Sequence, residues 1–501
     1  MKFFFTSWLF IIPHLIYAQT PELVWEQLYG GNGDDRPRQI ISTPDSGLIT
    51  IGHSNSIDGD KGISMGLIDY WVVKTDTNGN ILWEKSYGGS GYDYGYSICL
   101  GQDGGYMLAG YSSSTDGHIS SPKGGNDYWI IKIDEEGNIE WEKSYGGLES
   151  DLAKYIIPSQ DGGYVILGDS KSSGGMVSGH HGTVEESDFW IIKIDIDGNI
   201  LWENSFGSTE DENADEIIQL STTELIAVGV SSGNDGDVLD NNGGADGWVI
   251  KLDEDGNLIW TNNYGGTQSE FDLSITKDSS NKLFIAGSTQ SSNIIVPENY
   301  GSYDIFVISI NGDGIILWSK NFGGSGADNY VKIRNRGSNE FILSSYSTSD
   351  DYDVLLNYGG ADFWLFAIDS MGQIKWNKTI GGSNEDVVRS LLITNRIFIS
   401  GYTNSNDFDV TPEPSYGLFN FWNLKLDNCN QKYFGDTDGD GFGDVTNDST
   451  ACNIPIGYVS DSTDCNDLNP DIHPTLLDIC NNIDDNCNGL FDEDATFITY
   501  Y

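Results

Sequence analysis

The sequence predicts an all-β fold class, a radial array of small antiparallel sheets followed by a short module of different composition. The first observation is a tryptophan series with steps of 58 residues and one step of 61. The series is Trp25, Trp83, Trp141, Trp202, Trp260, Trp318 and Trp376. A second series keeps the same period, at Trp71, Trp129, Trp190, Trp248, Phe306, Trp364 and Trp422. The third observation is that five of the six cysteines follow residue 428. Repetition at this period is typical of propellers, so we predict a seven-bladed β-propeller over residues 19–428.

The first residues are typical of a secretory signal peptide. Lys2 supplies a positive start, Phe3–Ile16 an apolar core and Ala18 a small residue at the cut. The apolar run is too short to span a bilayer, and no later segment is long enough. We predict a signal peptide over residues 1–18, cleavage after Ala18, and a secreted or cell-surface protein without a transmembrane segment.

Each repeat contains four short runs with strand character. In the unit from Tyr94 to Gly147 the predicted strands are Tyr94–Gln102, Tyr106–Ser113, Asp127–Asp134 and Ile139–Tyr145. Asp103-Gly-Gly105 between the first two is a hairpin signal, because glycine tolerates positive φ. Four strands per radial repeat correspond to one propeller blade.

The phase of the repeat predicts how the array ends. It opens with an isolated fourth strand, Leu23–Tyr29, and closes with a third strand, Asn420–Asp427. Pairing these strands would complete the seventh blade and close the ring, which removes exposed sheet edges. We therefore predict that the N-terminal strand closes the last blade.

One repeat unit contains the segments Gly89-Ser-Gly-Tyr-Asp-Tyr-Gly95, Gly104-Gly-Tyr-Met-Leu-Ala-Gly-Tyr-Ser-Ser113, Asp127-Tyr-Trp-Ile-Ile-Lys-Ile-Asp134 and Gly137-Asn-Ile-Glu-Trp141. These segments resemble the secreted bacterial seven-bladed β-propeller repeat (SBBP), and the resemblance covers residues 22–428. It implies a mostly secreted family without an agreed activity, so it assigns no catalytic residue.

The charge balance restricts the partners. The formal net charge is −51, with only six arginines, Arg36, Arg38, Arg334, Arg336, Arg389 and Arg396. Such a chain repels phosphate backbones, which excludes nucleic acid and favours divalent cations or a basic surface. We also expect that an anion-binding catalytic cluster is hard to build from so few arginines.

A carboxylate follows each Gly-Gly pair, or the Gly207-Ser208 that replaces it, by four residues. This acidic ring comprises Asp35, Asp93, Asp151, Glu212, Glu270, Asp328 and Asp386. A second set enters the third strands, at Asp69, Asp127, Asp188, Asp246, Asp304 and Asp362, with Asn420 in the seventh place. Repetition in every blade favours carboxylates that cap turns. The alternative is an acidic face that binds cations or a basic partner.

Residues 429–501 form a separate Cys- and Asp-rich module. Cys429, Cys452, Cys465, Cys480 and Cys487 are candidates for disulfides, because a small exported module has too little core to hold itself. Five is an odd number, so one cysteine stays unpaired or pairs elsewhere. Cys99 occupies an apolar position of its repeat and is expected to be a buried thiol.

The strongest ligand signal in the chain is the acidic loop from Asp436 to Asp444. Asp436, Asp438, Asp440 and Asp444, with a glycine at the sixth position, match the start of a calcium loop. Asn447 stands where a bidentate glutamate would complete it. A weaker second example is formed by Asp484, Asn486, Asn488 and Asp492. The alternative is an acidic, turn-rich linker.

A second resemblance covers residues 433–494. Asp464-Cys-Asn-Asp467, His473-Pro474, Cys480-Asn-Asn-Ile-Asp-Asp-Asn-Cys487 and Asp492-Glu-Asp494 resemble the MopE-type metal-binding motif of secreted bacterial proteins. The family name implies copper, but soft copper prefers thiolate or histidine ligands. We predict calcium in the tail and keep copper as the less favoured alternative. Because Thr499-Tyr-Tyr501 resembles Lys432-Tyr-Phe434, we also expect the module to be truncated.

These observations favour a binding or adhesion scaffold with a calcium-stabilised tail. No lone catalytic constellation stands out, and the partner would be a surface glycan or protein that the sequence does not identify. The alternatives are a propeller enzyme acting on polysaccharide, with two or three carboxylates as acid and base, and a structural spacer or matrix protein.

Overall fold

The computed structural model describes residues 20–292, 295, 299–337, 339–412, 417–428, 431–451 and 454–492. The predicted signal peptide, Cys429, Cys452 and residues 493–501 lie outside the described residues. Within them the regular structure is all β, and no helix long and apolar enough to cross a membrane is found.

The described residues contain 31 strands. The first thirteen in chain order are β1 Glu22–Tyr29, β2 Asp35–Ser42, β3 Leu48–Ser54, β4 Asp69–Thr75, β5 Ile81–Tyr87, β6 Asp93–Leu100, β7 Tyr106–Ser112, β8 Asp127–Ile133, β9 Ile139–Tyr145, β10 Asp151–Pro158, β11 Tyr164–Ser170, β12 Asp188–Ile194 and β13 Ile200–Phe206. The next twelve are β14 Glu212–Ser221, β15 Glu224–Ser231, β16 Asp246–Asp253, β17 Leu258–Tyr264, β18 Glu270–Lys277, β19 Leu283–Thr289, β20 Asp304–Ile310, β21 Ile316–Phe322, β22 Asp328–Gly337, β23 Glu340–Ser347, β24 Asp362–Ile368 and β25 Ile374–Ile380. The last six are β26 Asp386–Ile393, β27 Ile397–Thr403, β28 Asn420–Asp427, β29 Gln431–Gly435, β30 Asp444–Ala451 and β31 Tyr458–Val459.

The strands assemble into seven four-stranded sheets and one three-stranded sheet within the described part of the chain. Six of the four-stranded sheets are sequential meanders, from β2-β3-β4-β5 to β22-β23-β24-β25. The remaining one has the order β1-β28-β27-β26. The N-terminal strand therefore lies beside β28, which is the neighbour that the phase of the repeat predicted.

The two aromatic series have different structural roles. Trp71 and its equivalents lie on the third strands, which are buried along their whole length because both faces pack against other residues. Trp83 and its equivalents lie on the outer strands and are partly exposed, except Trp376, which is buried. The Trp83 Nε1 donates to the carbonyl of Glu135, in the β8–β9 turn of the next sheet, at 3.1 Å. Trp202 makes the same bond to Glu254 at 3.1 Å. One series builds the core, and the other connects neighbouring sheets.

The first strand of each four-stranded sheet, which we call the inner strand, contacts its counterparts in other sheets. Ile98 on β6 donates its N–H to Gln39 on β2 at 2.8 Å, and Ile156 on β10 donates to Ser97 on β6 at 3.1 Å. Ile40 on β2 donates to Ser390 on β26 at 3.1 Å, which links the inner strands of the first and last repeats. Inner-strand contacts therefore join residues 350 positions apart in the sequence.

The chain divides into two compact units, one comprising Glu26–Leu424 and the other comprising Pro21–Trp25 with the residues from Lys425 onward. In the second unit β29 lies between β30 and β31. Its described core is small and includes Tyr433 and Ile472. The predicted domain boundary at residue 428 stays a prediction.

Candidate metal centre and the acidic ring

The loop after β29 is folded by its own aspartates. The Asp436 carboxylate accepts the N–H groups of Gly439 at 2.8 Å and Gly441 at 3.2 Å. Asp440 accepts the N–H of Phe442 at 2.8 Å. Gly439 and Gly441 have φ of 84° and 95°, in the left-handed region that favours glycine. These turns bring Asp436, Asp438 and Asp440 close together.

Two aspartates from a distant part of the tail complete this group. Asp438, Asp440 and Asp464 have ligand oxygens within 4.8 Å of one another, and so do Asp436, Asp438 and Asp467. We call these five residues the tail cluster. Asp467 is held in place because its carboxylate accepts the Thr437 N–H at 2.8 Å and the Thr437 hydroxyl at 2.6 Å.

The tail cluster holds carboxylate oxygens that lack a hydrogen-bond partner. These are the Oδ2 atoms of Asp438, Asp440 and Asp464, all shielded from solvent, and Asp464 is only 7% exposed. Burial raises the pKa of Asp438 and of Asp464, and neighbouring aspartates raise both further. Ca²⁺ binds oxygens at about 2.3–2.6 Å. Oxygens that lie within 4.8 Å of one another can therefore share one ion. The arrangement can therefore hold a hard divalent cation.

The structure separates the other predicted ligands from this group. Asp444 accepts the N–H of Thr446 at 2.8 Å, and among the described residues it belongs to no cluster of three acidic groups. Asp484 accepts the N–H groups of Asn488 at 3.1 Å and Gly489 at 2.7 Å. Asp492 accepts those of Asn481 and Asn482. Asn486 and Asn488 accept N–H groups in the same loop, from Asn488 and Leu490.

Asp464 and Asp467 were not among the predicted ligands. The spacing within a local loop does not identify a residue about thirty positions away. Their signal was present in Asp464-Cys-Asn-Asp467, which carried the resemblance to the metal-binding motif. The isolated bridge between Asp444 and Asp464 shows how the two segments meet.

One disulfide joins Cys465 to Cys487. Cys480 is a free, exposed thiol and Cys99 a free, buried one. The sulfurs of Cys465 and Cys487 lie near Asp464, but oxidised sulfur is a poor ligand for soft copper. His473 is stacked on Phe442, with ring centroids 5.0 Å apart. This donor set, dominated by carboxylates, suits calcium better than copper.

All seven residues of the acidic ring are completely buried. Each is the first residue of an inner strand, and each accepts the N–H of the residue four positions earlier, as Asp93 does from Gly89 at 2.8 Å. Asp93 also accepts the hydroxyls of Ser112 and Ser114. Burial raises the pKa of these acids, to about 6 for Asp151 and about 7 for Glu212. This geometry favours the turn-capping interpretation over an exposed face for a basic partner.

The second set of carboxylates explains the recurring glycines. A Cβ on Gly88 would lie 2.5 Å from an Asp93 oxygen and 2.7 Å from an Asp69 oxygen. The same crowding occurs at Gly323 with Asp328 and Asp304. These side-chain oxygens therefore require glycine at the first position of the Gly-Gly pairs, with the Asn420 amide in place of the second carboxylate at Gly30.

Comparison with known proteins places a family motif in the tail. Residues 464–493 match the Cu-binding MopE family, which describes a metal-binding motif. The matched segment includes Asp464 and Asp467 of the tail cluster and the Cys465–Cys487 disulfide. The C-terminal unit therefore carries a MopE-type metal-binding motif.

Similarities to whole proteins and solved structures include the following distant ones. The regulatory protein FlaEY of Caulobacter vibrioides is 26% identical over 182 residues, which is 33% of this chain and 19% of FlaEY. The Neurospora crassa Pan2 WD40 domain is 10% identical, with 79% of this chain and 89% of that domain covered and a TM-score of 0.40. A protein of unknown function from Bacteroides caccae is 12% identical, with coverage of 59% and 93% and a TM-score of 0.34. The chain spans about a fifth of FlaEY, and structural likeness at these scores carries no argument about function.

Proposed function

We propose that this protein is a secreted or cell-surface binding and adhesion scaffold, built as a closed seven-bladed propeller with a calcium-stabilised tail and without catalytic activity. The observation that carries the calcium assignment is the tail cluster, whose buried Oδ2 atoms on Asp438, Asp440 and Asp464 have no hydrogen-bond partner among the described residues. An ion would neutralise carboxylates that otherwise repel one another.

Ring closure is supported by contacts between the first and last repeats. The Ile40 N–H donates to Ser390 at 3.1 Å, and the Asp35 N–H donates to the carbonyl of Phe419 at 2.9 Å. The second bond has equivalents between successive repeats, such as the Asp93 N–H to the carbonyl of Ile68 at 2.8 Å. The same kind of contact thus joins the ends of the array and its interior, as closure requires.

In this proposal Asp436, Asp438, Asp440, Asp464 and Asp467 hold the calcium ion. The ion would fix the loop after β29 against the segment that contains the Cys465–Cys487 disulfide. Its contribution is structural, because binding to the folded state alone stabilises that state. A scaffold role for the sheets is supported by the burial of the acidic ring, whose acids are engaged with backbone and hydroxyl donors.

Calcium titration by calorimetry on the protein from residue 19 tests the assignment. The variant pair is Asp438→Asn with Asp464→Asn, and the control is Asp471→Asn, an exposed tail acid outside the cluster. We expect one calcium ion to bind the parent and the control, and binding to be lost in the double variant. Equal binding by all three, or preferential binding of Cu⁺ over calcium, would contradict the proposal.

A further inference from the structure

A cavity of about 270 Å³ is lined by residues from all seven inner strands, β2, β6, β10, β14, β18, β22 and β26. It lies entirely within the unit of seven sheets. Its size is near the lower end of the roughly 300–1,000 Å³ typical of small-ligand pockets. One small molecule would fill it.

β-bulges place side chains at this cavity. Register shifts in five inner strands leave one residue each outside the regular pairing, at Arg38, Tyr96, Lys154, Asp215 and Arg389. All five line the cavity. A bulge re-aims a side chain without ending the strand.

The other two inner strands have longer irregularities at the same place. They contain Asp272 on β18 and Tyr330 on β22, with φ of 54° and 59°. Positive φ is costly for a residue with a side chain and concentrates at functional sites. Both residues line the cavity.

The residues at these inner-strand positions differ from repeat to repeat, although their neighbours in the sequence recur. Three residues before Arg38 stands the ring acid Asp35, and two residues after it stands the buried Ile40, and both types recur in every repeat. Between them the repeats differ, with arginine, tyrosine, lysine and aspartate. Since equivalent positions of a repeat need equivalent residues for folding, this variation indicates a role other than closing the sheets.

The cavity concentrates positive charge in a strongly acidic chain. Arg38, Arg334 and Arg389 line it, three of the six arginines in the sequence, together with Lys154 and Lys332. We expected an anion-binding catalytic cluster to be hard to build from so few arginines, yet the fold brings three of them to one cavity. Composition does not predict it because the arginines come from separate repeats that the fold brings together.

Two of these cations already have acidic partners. Arg334 pairs with Glu216 at 2.8 Å, and Lys154 pairs with Asp169 at 3.2 Å. Arg38, Lys332 and Arg389 make no ion pair among the described residues, although their charges oppose the burial that raises the pKa of Asp272. These three are the groups that can receive an anion.

Aromatic rings hold the two arginines in position. The Arg389 guanidinium lies 4.0 Å from the Tyr330 ring centroid, and Arg38 lies 4.5 Å from that of Tyr96. The Nε atoms of Arg38 and Arg389 are shielded and lack a hydrogen-bond partner. Although burial raises the pKa of Tyr330, Arg389 and Lys332 lower it to about 8, which is a further sign of the positive field.

Two acids also line the cavity. Asp215 accepts the N–H of Leu273 at 2.8 Å through one oxygen, and Asp272 lines the cavity beside it. Burial, and then the neighbouring Asp272, raise the pKa of Asp215 to about 7. These two acids would repel a phosphate dianion but would accept hydrogen bonds from hydroxyl groups.

We propose that this cavity binds an acidic monosaccharide, a sugar ring bearing one carboxylate, either free or at the end of a glycan. Arg38, Arg389 and Lys332 receive the carboxylate, since guanidinium groups match carboxylates well. Asp215 and Asp272 accept the ring hydroxyls. The site is distinct from the tail cluster, so this inference goes beyond the proposed scaffold function.

The test is a calorimetric titration of the protein with glucuronate, galacturonate, glucose and inorganic phosphate, in EDTA so that tail calcium plays no part. We expect a uronate to bind and both controls to bind at least about tenfold more weakly, glucose because it lacks the charged hydrogen bonds and phosphate because Asp215 and Asp272 repel it. Arg38→Gln with Arg389→Gln should weaken uronate binding by a similar factor. The control is Arg36→Gln, because Arg36 is also on β2 and stacks on Tyr402 but does not line the cavity.

The ligand panel on the unmodified protein keeps the test decisive even where the double variant fails to fold. Binding of glucose as tight as uronate, tighter binding of phosphate, or no binding of either uronate would overturn the proposal. Equal loss of uronate affinity in Arg36→Gln would overturn the assignment of Arg38 and Arg389. The galacturonate and glucuronate arms also show which hydroxyl orientation Asp215 and Asp272 accept.

Discussion

Buried aspartates of the repeats and of the tail use their oxygens differently. In the acidic ring, Asp93 accepts one backbone N–H and two hydroxyls. In the tail cluster, Asp438 and Asp464 each keep a shielded oxygen with no partner among the described residues. Asp328 and Asp386 of the ring also keep a shielded Oδ1 without a partner in the described part of the chain, so an unpartnered oxygen alone does not make a carboxylate available to a cation. The tail cluster differs because, among the described residues, three of its carboxylates at a time bring oxygens within 4.8 Å of one another.

The largest expected effect is the loss of a ring acid. Asp93→Ala leaves the Gly89 N–H and two serine hydroxyls unsatisfied in the interior, so the free energy of unfolding should fall by about 3–5 kcal/mol. Chemical denaturation measures it. The control, Asp255→Ala in an exposed turn, should change stability by less than about 0.5 kcal/mol. Equal effects of the two substitutions would remove the structural role given to the ring.

The second expected effect is a fall in stability as pH rises from 4.5 to 8. Burial, followed by nearby carboxylates, raises the pKa of Asp304 and Asp362 to about 7. A raised folded-state pKa means that the folded protein binds more protons than the unfolded chain between the two values. That stabilisation is complete below the unfolded pKa and lost as pH rises through about 7, at about 1.4 kcal/mol per pKa unit for each group. Denaturation at several pH values measures it.

The matching variant is Asp304→Asn, which cannot ionise. It should flatten the pH dependence in proportion to the contribution of this one group. A stability that instead increases steadily between pH 4.5 and 8, with no change in the variant, would show that these carboxylates are not destabilised by burial.

In the tail, removal of an acid should have a smaller effect on stability, and of opposite sign to that in the ring. Without calcium, Asp438→Asn removes one of several repelling carboxylates and should stabilise the tail by about 1 kcal/mol. With calcium the parent should be more stable than the variant, because the parent gains an ion that the variant binds poorly. Limited proteolysis of the tail, with and without EDTA, compares them. A variant that is less resistant in both conditions would mean that Asp438 has a structural role like that of Asp93.

The smallest effect is expected at the tryptophans that connect neighbouring sheets. Trp83→Phe keeps the ring but removes the bond from Nε1 to the Glu135 carbonyl. Because this bond is partly exposed, the loss should be about 0.5–1 kcal/mol by thermal denaturation. Trp71→Phe is the contrasting variant, since Trp71 is fully buried and the smaller ring also leaves a cavity.

Much of the fold follows from the sequence. Periodicity located the four-stranded sheets, and the phase predicted β1 beside β28, because strand length and turn chemistry are local properties. Ile139–Tyr145 has the predicted bounds, and Asp127–Ile133 is one residue shorter. Membership of the SBBP family, the signal peptide and the domain boundary at residue 428 stay predictions.

The candidate sites follow less completely from the sequence. The local loop predicted Asp436, Asp438 and Asp440, but Asp464 and Asp467 join them only through tertiary structure. The cavity was not predicted because bulges and long-range packing select its residues. Its available signal was the mixture of arginine, tyrosine, lysine and aspartate three positions after five of the seven ring acids, with Asp272 and Tyr330 two positions after the other two.

The most direct test of the difference between ring and tail is anomalous diffraction from crystals containing Tb³⁺, a calcium substitute that also prefers oxygen ligands. We expect an anomalous peak among Asp436, Asp438, Asp440, Asp464 and Asp467, and no peak at the seven acids of the ring. Peaks at the ring acids, or an empty tail cluster at saturating Tb³⁺, would contradict the account.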